Sequence, residues 1–114
     1  MARVIFFLTV LAVPAFAAAS VVISEIAWMG TANSAQDEWL ELYSASGENL
    51  DGWILKTADG GMAINLSGII AAGGYFLIER TDDTTVPEVA ADLITPFGSG
   101  LNNSGEIIIL LNSS

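Results

Sequence analysis

The sequence contains no cysteine and no histidine, and of its 114 residues only three are lysine or arginine. Each shortage closes a class of chemistry. Without cysteine no disulfide can brace a small domain, and without either missing residue there is no Cys/His zinc site. Without an imidazole neither a Ser-His-Asp triad nor a histidine base can be assembled. A Gly-x-Ser-x-Gly elbow and a Gly-Lys phosphate loop are absent as well. Three cations face thirteen Asp and Glu, a formal net charge of -10. A surface this acidic repels phosphates and gains nothing from counterion release, which argues against nucleic acid as a direct partner. The partners it suits are basic proteins, glycans or divalent ions, and the same charge also serves solubility.

What is present begins with a leader. Arg3 precedes an apolar run from Val4 to Val13 broken only by Thr9, Pro14 ends the run, and Ala15 to Ala19 supplies small residues. That pattern predicts a Sec-type signal peptide over residues 1–19, cut after Ala17 or Ala19, and a secreted, periplasmic or cell-surface product. The rival, an uncleaved anchor, needs about 20 apolar residues to cross a bilayer, and the alanine-rich end is a weak span. Residues 20–114 then form one modest domain whose stability rests on packing alone.

Within that domain three short segments each carry a tryptophan and a strand pattern: Val21 to Trp28, Glu38 to Tyr43 and Asp51 to Lys56. Alternation puts Leu40 and Leu42 on one face of the second, with Trp39, Glu41 and Tyr43 on the other. In the third, Trp53, Leu55 and Thr57 share a face. Asp59-Gly60-Gly61 is a hairpin signal, because tight turns need positive φ, and Met62 to Leu66 should run back from it. Tyr75 to Arg80 and Glu106 to Leu111 read as further strands. Glu88 to Leu93 fits a short helical turn or a bent edge segment. Ile107 to Leu111 is apolar in both directions, so both of its faces want covering, and the run so near Ser114 suggests a missing partner strand. Six or seven strands about ten residues apart, with no sustained 3.6-residue period, predict an all-β, antiparallel β-sandwich.

The order Ile-Ser-Glu-Ile (23–26), Glu-Trp-Leu-Glu-Leu-Tyr (38–43), Leu-Asp-Gly-Trp-Ile-Leu (50–55), Ile-Asn-Leu-Ser-Gly (64–68), Ala-Gly-Gly-Tyr-Phe-Leu-Ile-Glu-Arg (72–80) and Leu-Asn-Asn-Ser-Gly-Glu (101–106) resembles the lamin-tail domain. The likeness runs from Val21 to Leu111 and is nearest to bacterial, exported members. It implies an immunoglobulin-like β-sandwich, and it transfers no catalytic residue. Family members continue past the position of Leu111 into a turn and a final strand, so the domain at 20–114 is expected to lack its last strand.

Candidate functional residues are few. Glu25 and Glu41 sit on neighbouring strands, with Asp37 and Glu38 before the second, and carboxylates converging at one end of a sandwich are Ca²⁺ ligands by type. No Asp-x-Asp-x-Asp-Gly loop accompanies them. The alternative is structural: the two glutamates accept backbone or Trp N–H bonds at strand edges. A carboxylate pair is also the minimum for a glycosidase, with Trp28, Trp39 and Tyr43 to stack on sugars, but a small sandwich offers little cleft. Trp53 reads as a core plug, whereas Trp28 and Trp39 are candidates for an exposed patch. The site reading is therefore a binding surface built on Glu25, Trp28, Trp39 and Glu41, with no catalytic residue, cofactor, metal or small-molecule substrate. The partner is a protein or an envelope component, with strand exchange at Ile107 to Leu111 as one route. The functional expectation is a non-catalytic, exported interaction or structural module of the cell envelope. The alternative, which the resemblance to bacterial lamin-tail domains implies, is the N-terminal accessory domain of a larger exported hydrolase of phosphoesterase or nuclease type.

Overall fold

Alternation of apolar and polar residues over short runs, punctuated by glycine, produces a chain of strands and no helix over the residues described, 19–114, in a computed structural model. The expected leader lies outside the described residues, save Ala19. The strands are β1 (Val22–Ala27), β2 (Trp39–Ser44), β3 (Glu48–Asn49), β4 (Ile54–Thr57), β5 (Ala63–Asn65), β6 (Ile69–Ile70), β7 (Gly74–Arg80), β8 (Leu93–Thr95) and β9 (Ile108–Leu111).

They form a four-stranded sheet in the order β1-β2-β7-β8, a three-stranded sheet β5-β4-β9, and a small β3-β6 ladder. Leu40, Leu42, Phe76 and Ile78 from the first sheet meet Leu55, Ile64 and Trp53 from the second in one core, closed by Phe97 and Leu101. Two sheets sharing one apolar interior make a β-sandwich. As expected, Leu40 and Leu42 are fully buried, and Trp53, Leu55 and Thr57 are buried together. The immunoglobulin-like sandwich read from the sequence is the observed architecture.

Details differ in three places. The connection between β5 and β7 carries the short strand β6, which pairs with β3; two residues a side give too little pattern to be read from sequence. The segment after Glu88 is not a helical turn but the bent edge segment of the two readings: it bends at Asp92 into β8, an edge strand that runs parallel to β7, so the sandwich is antiparallel except at this pair. A parallel neighbour requires a long crossover, and residues 81–92 supply it. The apolar run 107–111 has β4 on one side only: Ile108, Ile109 and Leu110 are half-buried, while Ile107 remains 67% and Leu111 40% exposed.

The predicted hairpin forms with its chemistry visible. Thr57 N–H donates to Met62 O (3.0 Å), and Gly60 adopts φ 79°. Asp59 Oδ1 accepts from Gly61 N–H (2.8 Å) and the Thr57 hydroxyl (2.7 Å), and Thr57 Oγ1 in turn accepts from Met62 N–H (2.9 Å). These bonds on the Asp59 carboxylate, Gly61 first, hold its pKa below 3.8.

Candidate functional site

Register decides which candidate side chains meet. Glu25 is the cross-strand partner of Glu41, and a β-bulge at Ser24 turns β1 so that the Ser24 hydroxyl donates to Glu41 Oε1 (2.8 Å) and lies 3.1 Å from Glu41 O. The bonding partner of Glu41 is thus a serine hydroxyl, not a backbone or tryptophan N–H. Trp39 lies two residues along β2 on the same outward face, opposite Glu79 of β7, and further along that face the Tyr43 and Tyr75 rings sit 5.0 Å apart.

Trp28 is elsewhere. It shares the parity of Ile26, whose register partner is the core residue Leu40, and it is 51% exposed. Past the end of β1 the chain turns through Met29 and Gly30, both at positive φ. The structure therefore puts Glu25, Trp39 and Glu41 on the outer face of the four-stranded sheet, and Trp28 at the open side of the sandwich.

That open side holds a groove of about 410 Å³. Ile26, Trp28 and Met29 form one wall, Ile108 and Leu101 the other, and the turn 102–106 closes one end. Its two long sides belong to edge strands, β1 of one sheet and β9 of the other. Asn102 N–H bonds to Glu106 Oε2 (3.1 Å), and the Asn102 side chain accepts from Ser104 N–H (3.0 Å), so the turn is braced by its own polar groups. Sequence reasoning found Trp28 but missed Met29, Leu101 and Ile108, which reach the groove from segments far apart in the chain. Their only sequence signal is apolar character beside a turn.

A second depression, of about 350 Å³, is polar and lies between the loop 33–37 and residues 80–84. Its one cation, Arg80, is engaged by Glu38 Oε2 at 2.8 Å, and Asp37 and Asp82 share the lining. Neither Glu25 nor Glu41 lines the groove or this depression, and no group of three or more Asp or Glu side chains close enough to share a metal ion occurs among the described residues.

One perturbed acid is a residue that sequence reasoning passed over. Glu79 alternates with the core residues Phe76 and Ile78 and so points outward, yet it is 0% exposed. Its Oε1 accepts from Val86 N–H (2.8 Å), while Oε2 has no partner. Burial raises its pKa above 4.5, the Val86 bond works against that, and the charge of Asp83 and then Asp82 adds to it.

An immunoglobulin-like sandwich with an apolar groove between two sheet edges defines a β module. The chain matches the family model described as Lamin Tail Domain over residues 14–114, and it belongs to that family of non-enzymatic β modules. The match reaches six residues into the segment read as leader, 14–19. No curated protein matches the chain.

Proposed function

We propose that this chain is a non-catalytic interaction module of an exported protein, working in the cell envelope or beyond it, and that it recognises a partner protein through the groove between β1 and β9. The observation that carries the reading is the run of exposed apolar side chains there: Ile26, Trp28 and Met29 are 37%, 51% and 54% exposed. Apolar surface gathered beside unpaired strand edges marks a recognition site more often than a solvated face.

The occupant is an extended segment of the partner with alternating apolar residues. It adds to the free edge of β9, where backbone N–H and C=O groups supply affinity and the Trp28 pocket supplies selectivity. Charge complementarity supports basic flanks on that segment, because beyond the leader thirteen carboxylates face only Lys56 and Arg80. Export rests on the leader pattern, and N-terminal sequencing of the protein from the culture medium or periplasm should find a new start after Ala17 or Ala19.

The binding test is isothermal titration calorimetry with a Val-x-Val-x-Val peptide flanked by lysines and a second flanked by glutamates. The lysine-flanked peptide should bind saturably and the other at least tenfold more weakly. Trp28→Ala and Met29→Lys should each remove binding. If neither peptide binds, the partner reading is wrong; if sedimentation shows a concentration-dependent dimer, the groove takes a second copy instead.

A further inference from the structure

Register partners lay out the outer face of the four-stranded sheet in rows, and the rows divide it into a covered part and an open one. Val22, Tyr43 and Tyr75 make the first row, Glu25, Glu41 and Leu77 the second, and Ala27, Trp39 and Glu79 the third. On β7 the second and third rows end under cover: Leu77 and Glu79 are both buried, and Val86 N–H of the crossover 81–92 bonds to Glu79 Oε1 at 2.8 Å. The first row stays open. Val22 is 45% and Tyr75 60% exposed, with Tyr43 half-buried between them.

The Tyr43 and Tyr75 rings, with centroids 5.0 Å apart and planes inclined at 45°, form an aromatic ledge that Val22 extends toward the free edge of β1. One row along, the Ser24 hydroxyl holds Glu41 through Oε1 (2.8 Å), and Glu25 stands directly across from it. Like charges opposed across an antiparallel pair destabilise it. Nothing on this face offsets them: among the described residues Arg80 is paired with Glu38 at the end of the core, and Lys56 alternates with buried Leu55 and Thr57 and so points out from the other sheet. Residues two apart on a strand are separated by about 7 Å. One guanidinium can therefore lie on the tyrosine ledge and still reach the Glu41 carboxylate. Arginine suits this pairing, being flat, weakly hydrated and able to give a carboxylate two N–H bonds, whereas a lysine ammonium offers only a point charge.

We propose that the open part of this face is a second recognition surface, separate from the groove, and that it takes an arginine-bearing segment of a partner protein: the guanidinium stacks on Tyr43 and Tyr75 and pairs with Glu41. Charge complementarity selects the occupant. A neutral glycan would use the ledge but leave the opposition of Glu25 and Glu41 unrelieved, and an anionic polymer would be repelled by both. Tyrosine and arginine are also the side chains on which binding energy concentrates at protein interfaces. The edge strand β1 serves both surfaces by alternation, with Glu25 on the outer face and Ile26 in the wall of the groove. Partner contacts can thus wrap around one strand.

An acetylated and amidated Gly-Arg-Gly-Arg-Gly peptide, titrated into the isotope-labelled protein at low salt and followed by amide NMR, tests this. Shifts should concentrate at Val22, Glu25, Glu41, Tyr43 and Tyr75, and the matching lysine peptide should bind about threefold or more weakly, since it lacks the stacking. Tyr75→Leu, which keeps apolar bulk on an exposed site but removes the ring, should weaken the arginine peptide by a similar factor at an unchanged Tm. Glu41→Gln should weaken both peptides. Trp28→Ala, in the groove wall, should leave arginine binding as it is, so a failure of the groove and a failure of this face are told apart. Equal affinity for the two peptides, shifts spread over the acidic loops, or indifference to Tyr75→Leu overturns the proposal. So does a chitooligosaccharide that shifts the same amides where the arginine peptide does not, since the ledge would then be a glycan platform.

Discussion

Arg80 Nη1 lies 2.8 Å from Glu38 Oε2, and Leu101 N–H reaches the same oxygen at 3.2 Å, so one buried carboxylate joins β7, the residue before β2 and the segment leading to β9. Glu38 and Arg80 share the parity of the core residues Leu40 and Ile78, which puts the ion pair at the end of the core and not on the outer face. A pair this dry adds little over a packed apolar pair, but removing one member strands the other.

Arg80→Ala should accordingly cost about 3 kcal/mol at neutral pH. Urea unfolding checks it, through a lower midpoint at an unchanged m-value. An exposed carboxylate substitution such as Glu25→Ala serves as the control and should stay within about 0.5 kcal/mol.

Gly60 and Gly98 are both left-handed, at φ 79° and 59°, but they differ in surroundings. A Cβ at Gly60 meets nothing within 4 Å, whereas at Gly98 it would fall 2.1 Å from Gly61 O. Gly60→Ala should cost about 1–2 kcal/mol, the penalty of the left-handed backbone. Gly98→Ala should cost clearly more, because a steric clash is added where residues 97–99 dock on the hairpin. Thermal unfolding of the two variants side by side measures the difference.

Trp53 is 8% exposed and Trp28 51%. In single-tryptophan variants, acrylamide should quench Trp28 strongly and Trp53 weakly. Trp53→Ala should lose about 3–5 kcal/mol of stability, as large buried aromatics do, while Trp28→Ala should fold nearly as well as the parent.

The hairpin and the crossover should answer pH in opposite senses. Asp59 titrates below 3.8 because Gly61 N–H and the Thr57 hydroxyl favour its charged form, so its contribution is present above 3.8 and disappears as pH falls through the folded value. Carboxyl NMR should find Asp59 among the most acidic side chains, and Thr57→Val should move it back toward 3.8. Glu79, shifted the other way, should titrate above 4.5 in the same spectra.

The faces of β2 and β4, the hairpin at Asp59 to Gly61, the core role of Trp53 and the acidic surface were all fixed by the sequence itself. Alternation is local: two or three residues either side decide which way Leu40 or Leu55 points, and consecutive glycines decide where the chain reverses. What lies on top of a face is not local. Parity points Glu79 outward like Glu41, and only the return of residues 81–92 over it, on the way to a parallel strand, turns an outward acid into a fully buried one. The groove has the same origin, since Ile26 to Met29 and Leu101 to Ile108 become its two walls only because β1 and β9 end up as the edges of facing sheets. Periodicity sets orientation within a strand, whereas burial and neighbourhood depend on how the connections pack, and that was decided by the tertiary structure.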